Sequence, residues 1–207
     1  MDTQKTVITI GREYGSGGHH VGQALARMLG IPYYDKEILT RAAKESGICE
    51  ELFEHHDERA SPSYLFSMSP GISGVNSVAG LSQTLPLNHR IFRAQFETIL
   101  KLAGEGACVV VGRCADYVLK DWPYLARVFI YAEQDVRVEH VMASESLSRE
   151  RAKDRVRRMD KQRQSYYNFF ADGNWGHRGN YDLLLRMDHI GVEEAAQTIK
   201  AFVESRA

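Results

Sequence analysis

Residues 7–30, VITIGREYGSGGHHVGQALARMLG, constrain the fold of this 207-residue chain more than any other stretch. The apolar run at 7–10 predicts a buried strand, and the glycines after it predict a tight turn. An amphipathic helix is indicated next by apolar residues at helical spacing: Val21, Ala24, Leu25, Met28 and Leu29. A strand, a glycine-rich turn and a helix in this order are typical of a loop that binds phosphate through backbone N–H groups.

Further apolar runs predict that this first strand belongs to a parallel sheet. They are near-continuous rather than alternating, as in strands buried on both faces, and lie at 32–34, 108–111, 128–131 and 183–185. Helical patterns separate them, among them those at 92–103 and 192–203. Strands that alternate with helices predict an α/β fold with three layers around a parallel sheet. The chain length fits one domain.

Composition places the chain among ordinary globular proteins. Hydrophobic residues make up 43% and charged residues 26%, and the net charge of −1 gives no argument for binding nucleic acid or a membrane. No apolar run approaches the roughly 18 residues of a membrane span, and no secretory leader is apparent. The three cysteines lack metal-binding spacing, and Cys108 lies in an apolar run. We therefore expect free thiols and a cytoplasmic protein.

The glycine loop has the composition of a phosphate site but lacks the usual lysine. Gly15, Gly17 and Gly18 can turn the chain tightly and direct their N–H groups, with that of Ser16, at an anion. Gly18 stands where the lysine is expected, and His19 and His20 follow it. The alternative is a tight turn between strand and helix that binds no ligand.

Two pairs of adjacent histidines raise the question of a metal. Neighbouring side chains on a helix diverge by about 100°, so the pairs His19–His20 and His55–His56 are poorly placed to share one ion. We expect no metal site built from histidine.

The densest charge lies in RERAKDRVRRMDKQR, residues 149–163, where eight of fifteen residues are basic and three acidic. As a helix, this segment places Arg151, Arg155 and Arg158 on one face. Phosphoryl transfer uses mobile arginines that close over a triphosphate, so the segment is a candidate arginine lid. The alternative is a solvated helix with ion pairs.

Two segments near these motifs have no catalytic signature. Residues 61–86 are rich in Ser, Gly and Pro and predict either a mobile binding loop or a disordered insert. The aromatic residues that follow the arginines are expected to pack the lid onto the core: Tyr166, Tyr167, Phe169, Phe170 and Trp175.

Taken together, these motifs resemble the cytidylate kinase-like proteins, relatives of bacterial cytidylate kinases among the P-loop nucleoside monophosphate kinases. The resemblance rests on ITIGREYGSGGHHVGQALARMLGIPYYD, CVVVGRCADYVL, RRMDKQRQSYYNFF and NYDLLL. It implies a three-layer P-loop kinase fold with a five-stranded parallel sheet. It also implies a helical acceptor-binding insert at about 36–90 and an arginine-rich lid at about 145–175.

The resemblance also implies roles for individual residues. Asp35 and Arg41 match an aspartate and an arginine that contact the acceptor nucleotide, and Arg113 matches the arginine of a GRD motif whose aspartate is replaced here. Asp116 follows two residues later as a substitute acidic group.

In the lid, Asp160 and Arg163 match residues that hold the acceptor and stabilise the transferring phosphoryl group. At the loop, Arg12 is a candidate substitute for the missing lysine, although it can equally pair with Glu13.

The activity implied is transfer of the γ-phosphoryl group of ATP, with Mg²⁺, to a nucleoside monophosphate such as CMP or to another small acceptor. Two alternatives stay open. The chain can be a nucleotide-binding sensor or regulatory protein that has lost the chemistry, or a small-molecule kinase whose acceptor is not a nucleotide.

Overall fold

The computed structural model describes residues 6–56, 87–171 and 173–206. The irregular segment at 61–86 lies outside these residues.

Five parallel strands form a single sheet. They are β1 (Val7–Arg12), β2 (Tyr33–Tyr34), β3 (Cys108–Val111), β4 (Leu125–Tyr131) and β5 (Leu183–Arg186). Their order in the sheet is β2-β3-β1-β4-β5, so the strand that leads into the glycine loop is central. The predicted parallel sheet is confirmed, and each predicted strand coincides with an observed one.

Helices cover both faces of the sheet. They are α1 (Gly18–Leu29), α2 (Glu37–Ser46), α3 (Glu50–His56), α4 (Leu87–Glu105), α5 (Ala115–Val118), α6 (Gln134–Glu145), α7 (Arg149–Phe170) and α8 (Val192–Ser205), with a 3₁₀ turn at Arg178–Asn180. None of these helices is both long and apolar enough to cross a membrane.

The core lies on both sides of β1 because its successive side chains point to opposite faces. Ile8 and Ile10 pack with Leu25 of α1 in one cluster, whereas Val7 packs with Ile99 of α4 in the other. All five side chains are at most 1% exposed. Each contributes about 1.5–3 kcal/mol to folding by leaving water. The central strand is thereby fixed on both faces, and the loop at its carboxyl end starts from a rigid point.

β5 departs from the expectation of strands buried on both faces. It lies at the edge of the sheet, and its side chains alternate between half-buried and exposed. Leu184 is 37% exposed. A run of three leucines looks the same in a central and in an edge strand, so the sequence could not reveal this difference.

The aromatic residues after the arginines pack α7 onto the body of the protein. Tyr166 and Tyr167 are 4% and 6% exposed, and Phe170 stacks on Phe92 with ring centres 3.9 Å apart. Phe169 differs, with 40% of its surface exposed. The expected packing role is confirmed for the buried members of this group.

The three cysteines are free thiols, as expected. Cys108 and Cys114 are buried and Cys49 is exposed. Burial raises the pKa of the Cys108 thiol to about 12, so it stays protonated at neutral pH.

Candidate functional site

The glycine loop joins β1 to α1 and needs glycine at two positions. Gly15 and Gly17 have φ angles of 79° and 86°, which are left-handed and strained for other residues. A Cβ atom on Gly15 would lie 2.7 Å from the backbone oxygen of Arg137. The loop therefore lies directly against α6. No side chain caps the N-terminus of α1, which leaves its N–H groups to an anion.

Ser16, a predicted phosphate-binding residue, is completely buried. Its hydroxyl lies 2.8 Å from the backbone oxygen of Glu13 and 3.2 Å from that of Ile130. The backbone N–H of Ser16 also donates to the backbone oxygen of Glu13, at 3.4 Å. Ser16 therefore fixes the loop to the end of β4 and is not exposed to a ligand in this structure.

A cleft opens in front of the glycine loop. We use "the cleft" for the space lined by the loop, the start of α2, one face of α6 and one face of α7. Its charged and histidine residues are Arg12, Glu13, His19, His20, Asp35, Lys36, His140, Glu145, Arg155 and Arg163. Lys36 and His140 were not predicted, since neither belongs to a recognisable motif. His140 contacts the loop through Nδ1, 2.9 Å from the backbone oxygen of Gly15.

Two arginines of α7 face the cleft and share one aromatic support. The guanidinium carbons of Arg155 and Arg163 lie 5.5 Å and 5.3 Å from the ring centre of Tyr14 in the glycine loop. Arg155 also pairs with Glu145 at 3.2 Å, and Arg163 donates to the backbone oxygen of Arg12 at 3.2 Å. Both cations thus stand beside the loop, as a lid over phosphate requires.

The other predicted lid arginines lie elsewhere. Arg151 and Arg158 are exposed and do not line the cleft. The buried residues Ala152 and Val156 pack against α6 and turn a different face of the helix inward. A catalytic role for Arg151 and Arg158 stays a prediction that this geometry does not favour.

Asp160 of α7 accepts a hydrogen bond directly from the backbone of the glycine loop. Its Oδ1 accepts the backbone N–H of Tyr14 at 2.7 Å, and its Oδ2 accepts from Arg137. Arg137 also donates to the backbone oxygen of Ala132 at 3.0 Å and lies 3.2 Å from Glu13. Sequence reasoning missed Arg137, because nothing in QDVRVEH marks this arginine as buried.

Asp35 forms a second ionic group at the opposite wall of the cleft. Its carboxylate lies 2.7 Å from Nη1 of Arg113 and 2.9 Å from Nδ1 of His19, and the Tyr33 hydroxyl lies 2.8 Å from the same ring nitrogen. Burial raises the pKa of Asp35, but the guanidinium groups of Arg12 and Arg113 outweigh it and lower the pKa overall. The aspartate is therefore ionised at neutral pH.

The turn that carries Arg113 is strained. Gly112, Arg113 and Cys114 have φ angles of 75°, 51° and 55°, so two consecutive side-chain-bearing residues lie in the left-handed region. This backbone directs Arg113 toward Asp35, where its side chain is 1% exposed.

A second, smaller pocket lies behind the cleft. This inner pocket is lined by residues from the carboxyl ends of β1 and β3, α7 and the segment before β5: Gly11, Arg12, Gly112, Arg113, Cys114, Asp116, Arg163, Tyr166, Tyr167, Trp175 and Tyr181. Arg12 and Arg163 line both the cleft and the inner pocket. Two arginine residues therefore border both spaces.

Asp116 forms a wall of the inner pocket. Its Oδ2 accepts from the hydroxyl of Tyr167 at 2.8 Å. Burial raises the pKa of Asp116, although this hydrogen bond and the charge of Arg127 act in the opposite sense.

Arg41, a predicted acceptor-binding residue, lines neither space. It lies on α2 and pairs with Glu45 at 3.3 Å and with both carboxylate oxygens of Glu105. Its role toward an acceptor stays a prediction, and these contacts do not support it.

No group of three or more His, Cys, Asp or Glu side chains suited to a metal ion is found in the described part of the chain. Kinases bind Mg²⁺ largely through substrate phosphates and water, with one or two carboxylates. The cleft offers Glu13, Asp35 and Glu145, and each is also in contact with an arginine. All three carboxylates are thus already engaged, and an ion that arrives with a nucleotide would be held mainly by phosphate and water oxygens.

Comparisons with solved structures support this description of the fold. An uncharacterized protein from Eubacterium ventriosum is 28% identical, with a TM-score of 0.71 over 97% of this chain and 99% of its own. Shikimate kinase from Bacteroides thetaiotaomicron is 13% identical, with a TM-score of 0.55 over 96% and 98% of the two chains. A gluconokinase from Sinorhizobium meliloti is 16% identical, with a TM-score of 0.50 over 98% and 95%. The chain therefore has the fold of P-loop kinases.

A search of curated proteins finds no match. The sequence profile of the cytidylate kinase-like family matches residues 7–189, which hold the glycine loop, the Asp35–Arg113 pair and α7. The chain therefore belongs to the cytidylate kinase-like family.

Proposed function

We propose that this protein transfers the γ-phosphoryl group of ATP, bound with Mg²⁺, to a nucleoside monophosphate such as CMP. The observation that carries the proposal is the position of Arg12 and Arg163 at the junction of the cleft and the inner pocket. A phosphoryl group in transit between two ligands needs positive charge at that point.

The cleft is the proposed donor site. The N–H groups of the glycine loop and the N-terminus of α1 would hold the β-phosphate. Arg155 and Arg163, both beside Tyr14, would neutralise the charge of the γ-phosphate. The Mg²⁺ ion would supply charge stabilisation between these phosphates.

The inner pocket is the proposed acceptor site. Its aromatic walls, among them Trp175 and Tyr181, are of the type that packs on a planar base, and Asp116 can accept a hydrogen bond from an exocyclic amine. The cavity between these walls is only about 20 Å³, so they would have to move apart for a base to enter. Arg113 and Asp35 lie where the pocket meets the cleft and would orient the acceptor. Because phosphoryl transfer depends on positioning and electrostatics, no covalent nucleophile is needed.

The test is ADP production by the purified protein with ATP and Mg²⁺, against a panel of nucleoside monophosphates. Arg163→Ala is compared with Arg157→Ala, which removes an exposed arginine from the same helix. We expect turnover that requires an acceptor, is fastest with one pyrimidine monophosphate, and falls only in Arg163→Ala.

Other outcomes identify the alternatives. Turnover with a hydroxyl-bearing small molecule, and with none of the monophosphates, would replace the acceptor but keep the kinase. Nucleotide binding by calorimetry without turnover on any acceptor would indicate a sensor. Absence of both would contradict the proposal altogether.

A further inference from the structure

Position 18 requires glycine because a neighbouring side chain leaves no room for a Cβ atom, and not because of the backbone conformation there. It is the first residue of α1, and its φ angle lies outside the left-handed region that favours glycine. A Cβ atom built on Gly18 would lie 2.6 Å from Cβ and 3.1 Å from Cγ of Arg12. These atoms belong to the stem of the arginine next to its backbone, so they cannot move aside as the end of a flexible side chain can. Any larger residue at position 18 therefore collides with Arg12.

The other half of this contact is an arginine at the carboxyl end of the central strand. Arg12 is the last residue of β1, is 9% exposed, and lines both the cleft and the inner pocket. Its stem crosses the position from which a loop lysine would extend. The stem of Arg12 thus already occupies the space that a lysine side chain at position 18 would need.

We propose that Arg12 replaces the lysine of the phosphate loop and binds the phosphates of the donor, and that Gly18 is glycine because the Arg12 stem lies across it. This inference deepens the proposed function and rests on it. The two positions form an exchangeable pair, in which the cation comes either from the strand or from the helix, and the other position must be small.

The charges around Arg12 leave it suited to phosphate. The Asp35 carboxylate interacts electrostatically with two guanidinium groups, those of Arg12 and Arg113. The two guanidinium groups thus share this one carboxylate, and the Glu37 carboxylate accepts from the backbone N–H of Asp35 at 3.0 Å. A guanidinium group binds phosphate through two parallel N–H groups, which a lysine cannot do. Because Arg12 starts from the strand, it also reaches the junction with the acceptor pocket.

The test is a double-mutant cycle of Arg12→Gly, Gly18→Lys and the exchange variant Arg12→Gly/Gly18→Lys. Glycine is used at position 12 because alanine would keep the Cβ atom that collides. Three quantities are measured on each protein: the melting temperature without ligand, the affinity for Mg²⁺-ADP by calorimetry, and acceptor-dependent turnover.

We expect Gly18→Lys alone to lower the melting temperature and abolish ADP binding. Arg12→Gly should lose turnover about 100-fold or more, the usual effect of removing one group that stabilises developing charge. The melting temperature of the exchange variant should be higher than the sum of the two single effects predicts. This variant should also recover part of the ADP affinity that Gly18→Lys loses. Arg27→Ala, which removes a 74% exposed arginine from α1, is the control for loss of one positive charge and should match the wild type.

The outcomes separate this inference from the proposed function. If Arg12→Gly turns over as fast as the wild type, the phosphate role of Arg12 is overturned and the proposed kinase activity is not. A Gly18→Lys variant with unchanged melting temperature would overturn the exclusion by Arg12. A wild-type protein that binds no nucleotide would overturn the proposed function, and the phosphate role with it, whatever the melting temperatures show.

Discussion

The carboxylate of Asp160 on α7 accepts the backbone N–H of Tyr14 in the glycine loop at 2.7 Å. Arg137 binds the other oxygen of the same carboxylate and also donates to the backbone oxygen of Tyr14 at 3.3 Å. Helix α7 and the glycine loop are therefore joined through one aspartate and one buried arginine.

Replacing Asp160 with alanine should weaken both the fold and the donor site. The change removes the acceptor of the Tyr14 N–H and one of several acceptors of Arg137, so we expect a loss of about 1–3 kcal/mol in the free energy of unfolding. The KM for ATP should rise because the loop is less rigid. Denaturant unfolding and steady-state kinetics measure these effects. Asp154→Ala, an exposed aspartate of the same helix, is the control and should change neither. Equal effects at both positions would contradict the anchoring role.

The lid arginines should divide into two classes. Arg155→Ala and Arg163→Ala should each lower kcat/KM by about 100-fold or more, since both face the cleft beside Tyr14. Arg151→Ala and Arg158→Ala should change it by less than about threefold, as exposed charges usually do. The measurement is acceptor-dependent ADP release. The reverse order would contradict this assignment of roles to the four arginines.

The pair of Asp35 and Arg113 should be important for stability. Asp35→Ala removes the carboxylate that lies 2.7 Å from Arg113, whose side chain is 1% exposed. We expect a loss of about 3–5 kcal/mol in the free energy of unfolding, as for other broken buried pairs. Glu105→Ala, which breaks the more exposed pair with Arg41, should change the free energy of unfolding far less. Similar losses in the two variants would contradict this distinction.

Glycine should be essential at position 15, whereas alanine should be tolerated at position 104. Gly15→Ala combines a φ angle of 79° with a Cβ atom 2.7 Å from a backbone oxygen of α6. We expect lower stability and loss of nucleotide affinity. Gly104→Ala, within α4 and with no atom within 4 Å of its new Cβ, should be neutral or stabilising by up to about 1 kcal/mol. Thermal unfolding with and without Mg²⁺-ADP compares them.

The stability of Asp116→Asn relative to the wild type should depend on pH. Burial raises the folded-state pKa of Asp116 above its ordinary value of 3.8. The stabilising contribution of its protonated form is complete below that value and is lost as pH rises through the folded-state pKa. The asparagine variant keeps an oxygen for the Tyr167 hydroxyl but never carries the charge. Its advantage in the free energy of unfolding should therefore grow as pH rises above about 4. An advantage that is constant or shrinks with pH would contradict the raised pKa.

The strands and the glycine loop were predictable because their signals are local. Runs such as 7–10 and 108–111 are apolar enough to identify buried strands without any knowledge of their neighbours. The exposed edge of β5 was not predictable, since position in a sheet depends on which other strands pair with it. The sequence named many of the residues that line the candidate site but did not predict how they are arranged. Asp35 and Arg113 were named and form an ion pair, whereas Arg137 and Lys36 were missed.

By itself, the sequence determined the sheet, the glycine loop and the presence of an arginine-rich helix, because each is encoded by periodicity or residue type within a short segment. Tertiary structure alone decided which arginines face the cleft. In a helix with arginines on several faces, the buried Ala152 and Val156 select the inward one by packing on α6. Tertiary structure also decided that Arg12 lies across Gly18 and that Asp160 holds Tyr14. These contacts join residues that the chain separates and that only the packed fold brings within bonding distance.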